Sequence, residues 1–425
     1  DDSTKIKVKY DRNADLISIQ FDGTDLGMEG MFRLSGTVSM ETATMGGSGQ
    51  DPDGNWHDWA AYGIKASPEE LEEETTEGTE DTEGDGEEVV MDTLGPVIYP
   101  FTAYGYEEAP EEDHVIIKNV TVWTNEEEGI LENYSVYLRD GKINKIAENI
   151  FVEGAEIIDG TGKHFTAGVI DEHSHIAISY GVNESGQASS AEVSIASVVN
   201  SEDVNLYRQL AGGVVAAQLL HGSANPIGGQ SGIIKFRWGK LPEEMKISDA
   251  DGFIKFALGE NVKQSNWGDN NTTRFPQTRM GVEQTFYNYF TKAKEYGELK
   301  EKAGQRGYDG APLRKDLELE TLLEILESER YITCHSYVQS EINMLMHVAD
   351  SFGFTMGTFT HILEGYKVAD KMKAHGVNAS TFSDWWAYKY EVIDAIPYNA
   401  ALLTKMGVNT AINSDDAEMG RRLNQ

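Results

Sequence analysis

The first 165 residues alternate apolar and polar positions with a period of two, the spacing of β-strands that bury one face. Alternating stretches cover residues 17–21, 32–38, 115–123, 135–138 and 142–146. Short turns such as Asp22-Gly23 and Asp140-Gly141 separate them. We therefore expect a β-rich N-terminal segment over residues 1–113, followed by part of a small β-sandwich over residues 114–165.

The pattern changes at residue 166, where short apolar stretches begin to alternate with stretches of helical periodicity. Predicted strands cover residues 168–170, 213–220, 252–258, 331–334, 354–359 and 408–412, and predicted helices cover residues 340–351 and 363–375. Alternation of strands and helices is typical of βαβ units around a parallel sheet. The pattern predicts an α/β domain over residues 166–425.

Composition narrows the range of partners. The 425 residues include 35 Lys and Arg against 71 Asp and Glu, a net charge of −36 at pH 7, which argues against nucleic acid and anionic membranes. A single cysteine, Cys334, excludes an intrachain disulfide framework and a cysteine-rich metal site. No apolar run reaches the roughly 18 residues of a spanning helix, so no membrane span is expected.

Much of the acidic excess lies in one segment. Residues 69–88 contain twelve acidic residues and no basic residue, interleaved with Thr and Gly. Such a composition predicts a solvated, disordered loop. The alternative is a tail that collects calcium or binds a partner.

Residue types that bind metal ions recur where the predicted strands end. The first strand ends at His173-Ser174-His175, and strand residues i and i+2 point to the same face, so both imidazoles can reach one ion. Later strands end at Glu260, His335, His361 and Asp415.

The spacing of these residues predicts a (β/α)8 barrel. His335 and His361 are 26 residues apart, the length of one βα unit, and His361 and Asp415 are 54 apart, two units. His175 and Glu260 are 85 apart, about three units. This count assigns the candidates to strands 1, 4, 5, 6 and 8, whose C-terminal ends meet on one face of a barrel.

Residues 166–175, Thr-Ala-Gly-Val-Ile-Asp-Glu-His-Ser-His, resemble the strand-1 signature of the amidohydrolase superfamily. Asn413-Ser414-Asp415 is similar to the strand-8 aspartate of those enzymes, which follows a Ser or Thr. The resemblance is to the imidazolonepropionase-like branch and related dipeptidases, and it covers roughly residues 114–425. It implies a TIM barrel with a small β-sandwich domain; the N-terminal β-rich segment falls outside it.

The resemblance implies a metal-dependent hydrolase that cleaves a C–N bond, amide or peptide-like, in a small molecule or short peptide. Its cofactor would be one or two divalent ions, most simply zinc. His173 and His175 would hold one ion, with Asp415 contacting it and acting as general base and acid. His335 and His361 would bind a second ion. In a mononuclear variant His335 would join the first site and His361 would orient the water.

Strand 4 offers two candidates for the ligand that bridges two ions, since members of the superfamily use either a carboxylated lysine or a glutamate there. Glu260 lies at the C-terminal end of the strand, where active-site groups belong. Lys255 lies five positions earlier, about 15 Å lower in the barrel. On this argument Glu260 is the expected ligand and Lys255 the alternative.

Three side chains are candidates for substrate contacts. His221 lies in a Gly-rich loop after the second strand and makes either a substrate contact or a local structural hydrogen bond. The 75 residues between Glu260 and His335 are too many for one unit, so residues 262–314 are expected to form an insertion above the barrel mouth. Its Arg274 and Arg279 would pair with a substrate carboxylate or form surface salt bridges.

The aromatic residues at 384–388 would either wall the pocket or belong to the core. A deaminase could use the same metal site, and a non-catalytic barrel could act as a binding or scaffold subunit.

The chain begins without Met and ends ten residues after Asp415, where members of the superfamily continue into further elements. We expect a processed or truncated chain whose barrel and sandwich are completed by a further polypeptide segment or chain. A homo-oligomer is compatible with this organisation. The acidic composition and single cysteine lean toward an exported bacterial protein, periplasmic or extracellular.

Overall fold

The computed structural model describes residues 6, 8–13, 16–39, 44–62, 101–108, 114–268, 273–382 and 385–425. The chain divides into two compact units, Asp1–Met91 and Asp92–Gln425. The acidic segment at residues 69–88 lies outside the described residues, as does Asp384.

The first unit contains a five-stranded antiparallel sheet whose strands follow one another in chain order. Its strands are β1 (Lys9–Asn13), β2 (Leu16–Asp22), β3 (Met31–Ser39), β4 (Thr44–Gln50) and β5 (Trp56–Tyr62). The alternation at residues 17–21 and 32–38 lies in β2 and β3, as predicted. Gly36 of β3 pairs with Gly47 of β4, and a Cβ on Gly47 would lie 2.1 Å from the carbonyl oxygen of Ser35. Only glycine permits this close approach of two strands.

The second unit begins with a five-stranded sheet at the position of the expected sandwich. Its strands are β6 (Val115–Trp123), β7 (Ile130–Arg139), β8 (Lys142–Ala147), β9 (Glu156–Asp159) and β10 (His164–Phe165). β6 is central, since it pairs antiparallel with β7 and parallel with β9 and β10. Ile116, Val120 and Val122 of β6 are buried in two small apolar clusters.

The remaining described strands form the barrel. They are β11 (Val169–Ser174), β12 (Val214–Leu219), β13 (Ile227–Gln230), β14 (Gly232–Lys235), β15 (Gly252–Ala257), β16 (Arg330–Ser336), β17 (Thr358–His361), β18 (Asn378–Phe382) and β19 (Thr410–Asn413). β11 pairs parallel with β12, and β15 to β19 form a continuous parallel run. Beyond the end of β19 the Asp415 N–H donates to the carbonyl oxygen of His173 in β11 at 3.1 Å. The predicted TIM barrel is confirmed.

The third position of the barrel departs from the regular repeat. β13 and β14, separated by Ser231, pair antiparallel with β15 and β12 respectively. Residues 214–235 are all described, and no helix separates β12 from β13. Counting identical βα units therefore places the later strands correctly while missing this antiparallel connection.

The helices are α1 (Val204–Ala211), α2 (Pro242–Met245), α3 (Arg279–Gly304), α4 (Leu317–Leu326), α5 (Gln339–Phe352), α6 (Ala369–His375), α7 (Asn399–Lys405) and α8 (Ala417–Gly420). α5 matches the helix predicted at residues 340–351. α6 matches only the second half of the helix predicted at 363–375, because Gly365–Lys367 forms a separate 3-10 turn. Among the described helices, none combines the length and hydrophobicity needed to cross a membrane.

The long helix α3 lies in the outer layer of the barrel, so the part of the expected insertion (residues 262–314) that this helix covers does not lie above the barrel mouth. Phe286 and Phe290 of α3 pack on Phe256 of β15, with ring centroids 5.5 and 6.1 Å apart. All three rings are fully buried. The count failed because the single connection from β15 to β16 carries two helices, α3 and α4, instead of one.

Candidate functional site

A bulge at the end of β11 brings consecutive side chains toward the barrel interior. Between Asp171 and Ser174, three residue steps along β11 match two along β12. A bulge re-aims the side chains of its strand. As a result Glu172 and His173, although adjacent in sequence, both contact Thr360 of β17.

Three donor atoms converge at the C-terminal ends of the first and last barrel strands. His173 Nε2 and His175 Nε2 are 3.2 Å apart, and they lie 3.2 and 3.3 Å from Asp415 Oδ1. Two ligand atoms that are each about 2.0–2.2 Å from a tetrahedral ion are about 3.3–3.6 Å from each other. The observed separations fit the ligand shell of one divalent ion, and these three residues form a metal-type donor group within the described structure.

The other ring nitrogen of each histidine is already used. His175 Nδ1 lies 2.9 Å from the carbonyl oxygen of Leu220, so this nitrogen carries the proton and donates it. His173 Nδ1 lies 2.9 Å from Thr360 Oγ1. Both rings therefore turn Nε2 toward Asp415, which is the orientation of a metal ligand held by a partner behind it.

His335 of β16 and His361 of β17 lie beside this group. Their ring centroids are 4.8 Å apart, and the His361 ring is 4.5 Å from that of His173. His361 has a left-handed backbone, with φ 66°, a conformation uncommon for residues other than glycine and frequent at functional sites. Nδ1 of both rings is buried without a hydrogen-bond partner. Such orphaned ring nitrogens are rare in folded proteins.

The fourth barrel strand contributes Lys255, not Glu260, to this cluster. Lys255 is fully buried, and its Nζ lies 3.1 Å from His173 Nε2. Glu260 lies beyond the turn at Gly259, whose φ is 81°, and its carboxylate pairs with Lys389 at 3.1 Å. The expectation that Glu260 is the strand-4 ligand does not agree with these contacts.

Lys255 was set aside because its backbone lies lower in the barrel than that of Glu260. That reasoning neglected the register between β15 and β16 and the length of the lysine side chain. Lys255 pairs with Thr333, and His335 is only two residues further along β16, a rise of about 7 Å. A lysine side chain reaches roughly that far along its four-carbon stem. A lysine within the strand can therefore reach the same level as a histidine at the strand end.

Burial keeps the imidazoles of His173, His335 and His361 neutral. Burial and the charge of Lys255 lower the pKa of His173 to about 3, and burial holds the pKa values of His335 and His361 well below the usual range. Burial would raise the pKa of Asp415, but its interactions with the histidines hold that pKa well below its ordinary value. Neutral imidazoles and an ionised carboxylate are the forms that bind metal.

Further ionisable groups lie among these residues. Burial raises the pKa of Asp171 to about 6 and that of Glu172 to about 7, and it lowers the pKa of Lys255 to about 8. Asp171 accepts hydrogen bonds from the backbone N–H of Ser414 at 3.2 Å and from its Oγ at 2.5 Å. This contact anchors the residue before Asp415.

A cleft of about 550 Å³ opens beside the cluster, lined by Asn183, Ser223, Ala224, Glu260, Asn261, Asn266 and Trp267. Asn261 links the cleft to the histidines, since its Nδ2 donates to His335 Nε2 at 3.4 Å. Lys389 Nζ donates to the other amide atom, Asn261 Oδ1, at 3.3 Å. Amide, hydroxyl and carboxylate groups dominate the lining.

His221 has the structural role that was the alternative to a substrate contact. Its Nδ1 lies 2.9 Å from the carbonyl oxygen of Gly222, and its Nε2 accepts the backbone N–H of Glu184 at 2.8 Å. Both ring nitrogens are thus used to join two loops. The side chain is buried.

The two arginines are likewise occupied within the protein, contrary to a role in binding a substrate carboxylate. Arg274 is buried, and its guanidinium donates to the carbonyl oxygens of Ser185, Gln187, Ala224 and Val262 at 2.7–3.1 Å. Arg279 pairs with Glu341 at 3.2 Å and with Glu391 at 2.6 Å. Neither is among the residues that line the cleft.

Of the aromatic residues after β18, Trp386 and Tyr388 are exposed, and Trp385 is partly buried against the core. Trp385 packs on Phe382 with ring centroids 4.9 Å apart. Tyr388 shares a hydrogen bond of 2.7 Å with Tyr337, whose ring lies 4.4 Å from that of His335. The hydrogen-bonded pair of Tyr388 and Tyr337 therefore packs against the ring of His335.

Sequence reasoning missed a polar layer in the barrel interior. Thr360, Ser380 and Asn413 are fully buried and joined by hydrogen bonds. Strands of buried parallel sheets usually read as near-continuous apolar runs. Polar residues that interrupt such runs at alternate positions were the available signal.

Comparison with known proteins gives a consistent result. No protein-family model matches the chain. The chain is similar to a solved amidohydrolase of Thermotoga maritima MSB8, with 30% identity and a TM-score of 0.65, over 72% of this chain and 80% of that one. It is 28% identical over 300 residues to amidohydrolase tasK of Hapsidospora irregularis, a match that covers 64% of this chain and 30% of tasK. A match of 50 residues, 46% identical, relates it to a dihydroorotase of Bacillus cytotoxicus over 12% of each chain. The chain thus spans less than a third of the length of these curated relatives.

Proposed function

Since this chain belongs to the amidohydrolase superfamily, we propose that it is a metal-dependent hydrolase that cleaves a C–N bond of an amide or peptide-like substrate. The observation that carries the proposal is the convergence of His173, His175 and Asp415, whose donor atoms are 3.2–3.3 Å apart. They lie at the C-terminal ends of barrel strands, where enzymes of this fold carry their active sites.

Two sets of ligands are proposed. His173, His175 and Asp415 would hold one divalent ion, and His335, His361 and Lys255 would hold a second. Nitrogen and oxygen ligands of this kind suit zinc. When bound, a divalent ion supplies the Lewis acidity that activates water and polarises the scissile carbonyl at neutral pH.

Asp415 is the proposed general base and acid. Its Oδ2 lies 3.7 Å from His361 Nε2 while Oδ1 faces the other two histidines, so the carboxylate spans both ligand sets. An ionised carboxylate here can take a proton from the attacking water and deliver it to the leaving nitrogen. Its depressed pKa keeps it in the ionised form before the reaction.

Lys255 requires chemical modification for this role. An ammonium group would repel a cation, whereas the neutral amine can add CO2 to give a carbamate and release one proton. The carbamate carries a negative charge and two oxygen atoms, and it could therefore serve as a ligand for divalent ions. Its support is the position of Nζ, 3.1 Å from His173 Nε2.

The cleft favours a neutral polar substrate. Its lining includes three asparagines, a serine and an indole, which offer hydrogen bonds to amide groups. We propose a small amide or a short peptide as the substrate class. Membership of the imidazolonepropionase-like branch, a homo-oligomeric state and a further polypeptide partner stay predictions.

Metal content measured by inductively coupled plasma mass spectrometry tests the proposal, alongside turnover of a panel of dipeptides and cyclic amides. The wild type should contain close to two ions per chain and hydrolyse at least one member of the panel. Asp415→Asn should keep the fold and most of the metal while losing turnover. Unchanged turnover in this variant would contradict the role of Asp415, and a metal-free wild type after reconstitution would contradict the proposed function.

A matched pair of variants decides the strand-4 ligand. Lys255→Ala should reduce the content to one ion or fewer, because it removes the proposed bridge. Glu260→Gln should keep both ions, because Glu260 pairs with Lys389 instead. The opposite pattern would restore Glu260 as the ligand.

A further inference from the structure

The hydroxyl group of Thr360 lies beneath His173 at the centre of a hydrogen-bond network. Thr360 is fully buried. Its Oγ1 is 2.9 Å from His173 Nδ1, 3.3 Å from Asn413 Nδ2 and 3.2 Å from Glu172 Oε2. Three partners are the most that a hydroxyl can satisfy, since it has one proton and two lone pairs.

The directions of these bonds follow from counting protons. Thr360 Oγ1 donates to Glu172 Oε2 at 3.2 Å, and Asn413 Nδ2 donates to the hydroxyl oxygens of Thr360 and Ser380, at 3.3 and 2.8 Å respectively. An amide nitrogen only donates, and a hydroxyl has one proton and two lone pairs. The proton of Thr360 therefore goes to Glu172, and one of its lone pairs accepts from Asn413.

One lone pair of Thr360 remains, and it accepts the proton of His173 Nδ1. The ring then has its proton on Nδ1 and a lone pair on Nε2, which faces His175 and Asp415. In the other tautomer the proton would lie on Nε2 and block metal binding. A partner behind a ligand histidine commonly sets its tautomer and orientation.

We propose that Glu172 is a positioning residue, which acts through Thr360 to hold His173 in the tautomer that binds metal. This inference rests on the proposed function, because it concerns the affinity of the same site for its ion. The bulge in β11 makes it possible, since it lets Glu172 and His173 reach the same hydroxyl. It also explains why a carboxylate is buried next to the ligand in the sequence.

The test is zinc affinity, measured by competition with a chromogenic chelator on the 425-residue chain. Thr360→Val keeps the branched shape and removes the hydroxyl, and it should weaken zinc binding by about 10- to 100-fold. Thr360→Ser keeps the hydroxyl and should bind like the wild type. Thr333→Val is the matched control, because Thr333 is equally buried in the neighbouring strand β16 and its Oγ1 accepts from Gln218 instead. Glu172→Gln replaces the accepting carboxyl group with an amide and should weaken binding by a smaller factor, whereas wild-type affinity would exclude Glu172 as the positioning residue.

Each outcome has a distinct meaning. Wild-type affinity in Thr360→Val, or an equal loss in Thr333→Val, would overturn the inference while leaving the proposed function intact. A wild type that binds no zinc would overturn both.

Nitrogen-15 spectra of metal-free wild-type protein labelled in histidine provide a measurement that needs no variant. They should show His173 protonated at Nδ1, and protonation at Nε2 would refute the proposal.

Discussion

Replacing Arg274 by methionine tests whether this side chain binds substrate or holds the barrel mouth together. Methionine keeps a long apolar stem and removes the guanidinium. In the native structure that group donates to four backbone carbonyl oxygens at 2.7–3.1 Å, in the segments 185–187, 224 and 262. These segments follow the first, second and fourth barrel positions. The substitution therefore disconnects three loops that surround the cleft.

The expected loss can be worked from these contacts. A hydrogen bond from a charged donor contributes about 1.5–3 kcal/mol, but removing the guanidinium also regains its desolvation cost, so about 1 kcal/mol for each bond is a reasonable net value. Four bonds give a loss of roughly 4 kcal/mol. A unit of about 330 residues unfolds with an entropy near 0.7 kcal/mol/K. The Tm should fall by about 6 °C.

Thermal unfolding followed by circular dichroism measures this loss. Arg274→Lys is the control, since lysine keeps the charge without the planar fork, and its Tm should lie between those of the wild type and Arg274→Met. The ratio of kcat/KM for a neutral and an acidic dipeptide should be the same in all three proteins. A variant that melts like the wild type and loses only the acidic substrate would refute the structural role and restore the predicted substrate contact.

Three further predictions concern pH, packing and metal. The hydrogen bond from His57 lowers the pKa of Asp51 to about 2, so the contribution of Asp51 to the stability of the first unit should be complete above about pH 4 and lost as the pH falls toward 2. Acid unfolding followed by tryptophan fluorescence should show this dependence in the wild type and lose it in Asp51→Asn. An unchanged pH profile in the variant would contradict the prediction. Gly228→Ala would place a Cβ 2.9 Å from His221 Nδ1 and should cost about 1–3 kcal/mol in urea unfolding, whereas wild-type stability would show that the loop can shift. Removing metal with a chelator should lower the Tm, since a ligand at 1,000 times its Kd stabilises by about 4.1 kcal/mol; an unchanged Tm would argue against a site formed only in the folded chain.

The elements with strong local signals were predictable from sequence. The apolar runs at residues 252–258 and 331–334 correspond to β15 and β16, and residues 340–351 correspond to α5. The antiparallel third position was not predictable, because its direction depends on pairing with both β12 and β15. No local pattern in residues 227–235 encodes the direction of neighbouring strands.

At the site, the sequence identifies residue types better than it identifies contacts. His173 and His175 follow from strand alternation, and Asp415 follows from its position after the last strand; the structure brings all three together. Lys255 and Glu260 differ only in height along β15, which cannot be judged without the register to β16. Thr360 looked like an ordinary strand residue because its partners come from strands far apart in sequence.

Charge explains why Arg279, one of the two predicted anion-binding arginines, is occupied within the protein. Acidic residues outnumber basic ones by 71 to 35, so a cation near the barrel mouth meets carboxylates of the protein itself. Arg279 contacts Glu341 and Glu391, and Lys389 contacts Glu260 and Glu391. These ion pairs join the loops after the fourth, fifth and seventh barrel positions. Among the described lining residues of the cleft there is consequently no basic side chain, so the proposed substrate would meet amide, hydroxyl and carboxylate groups.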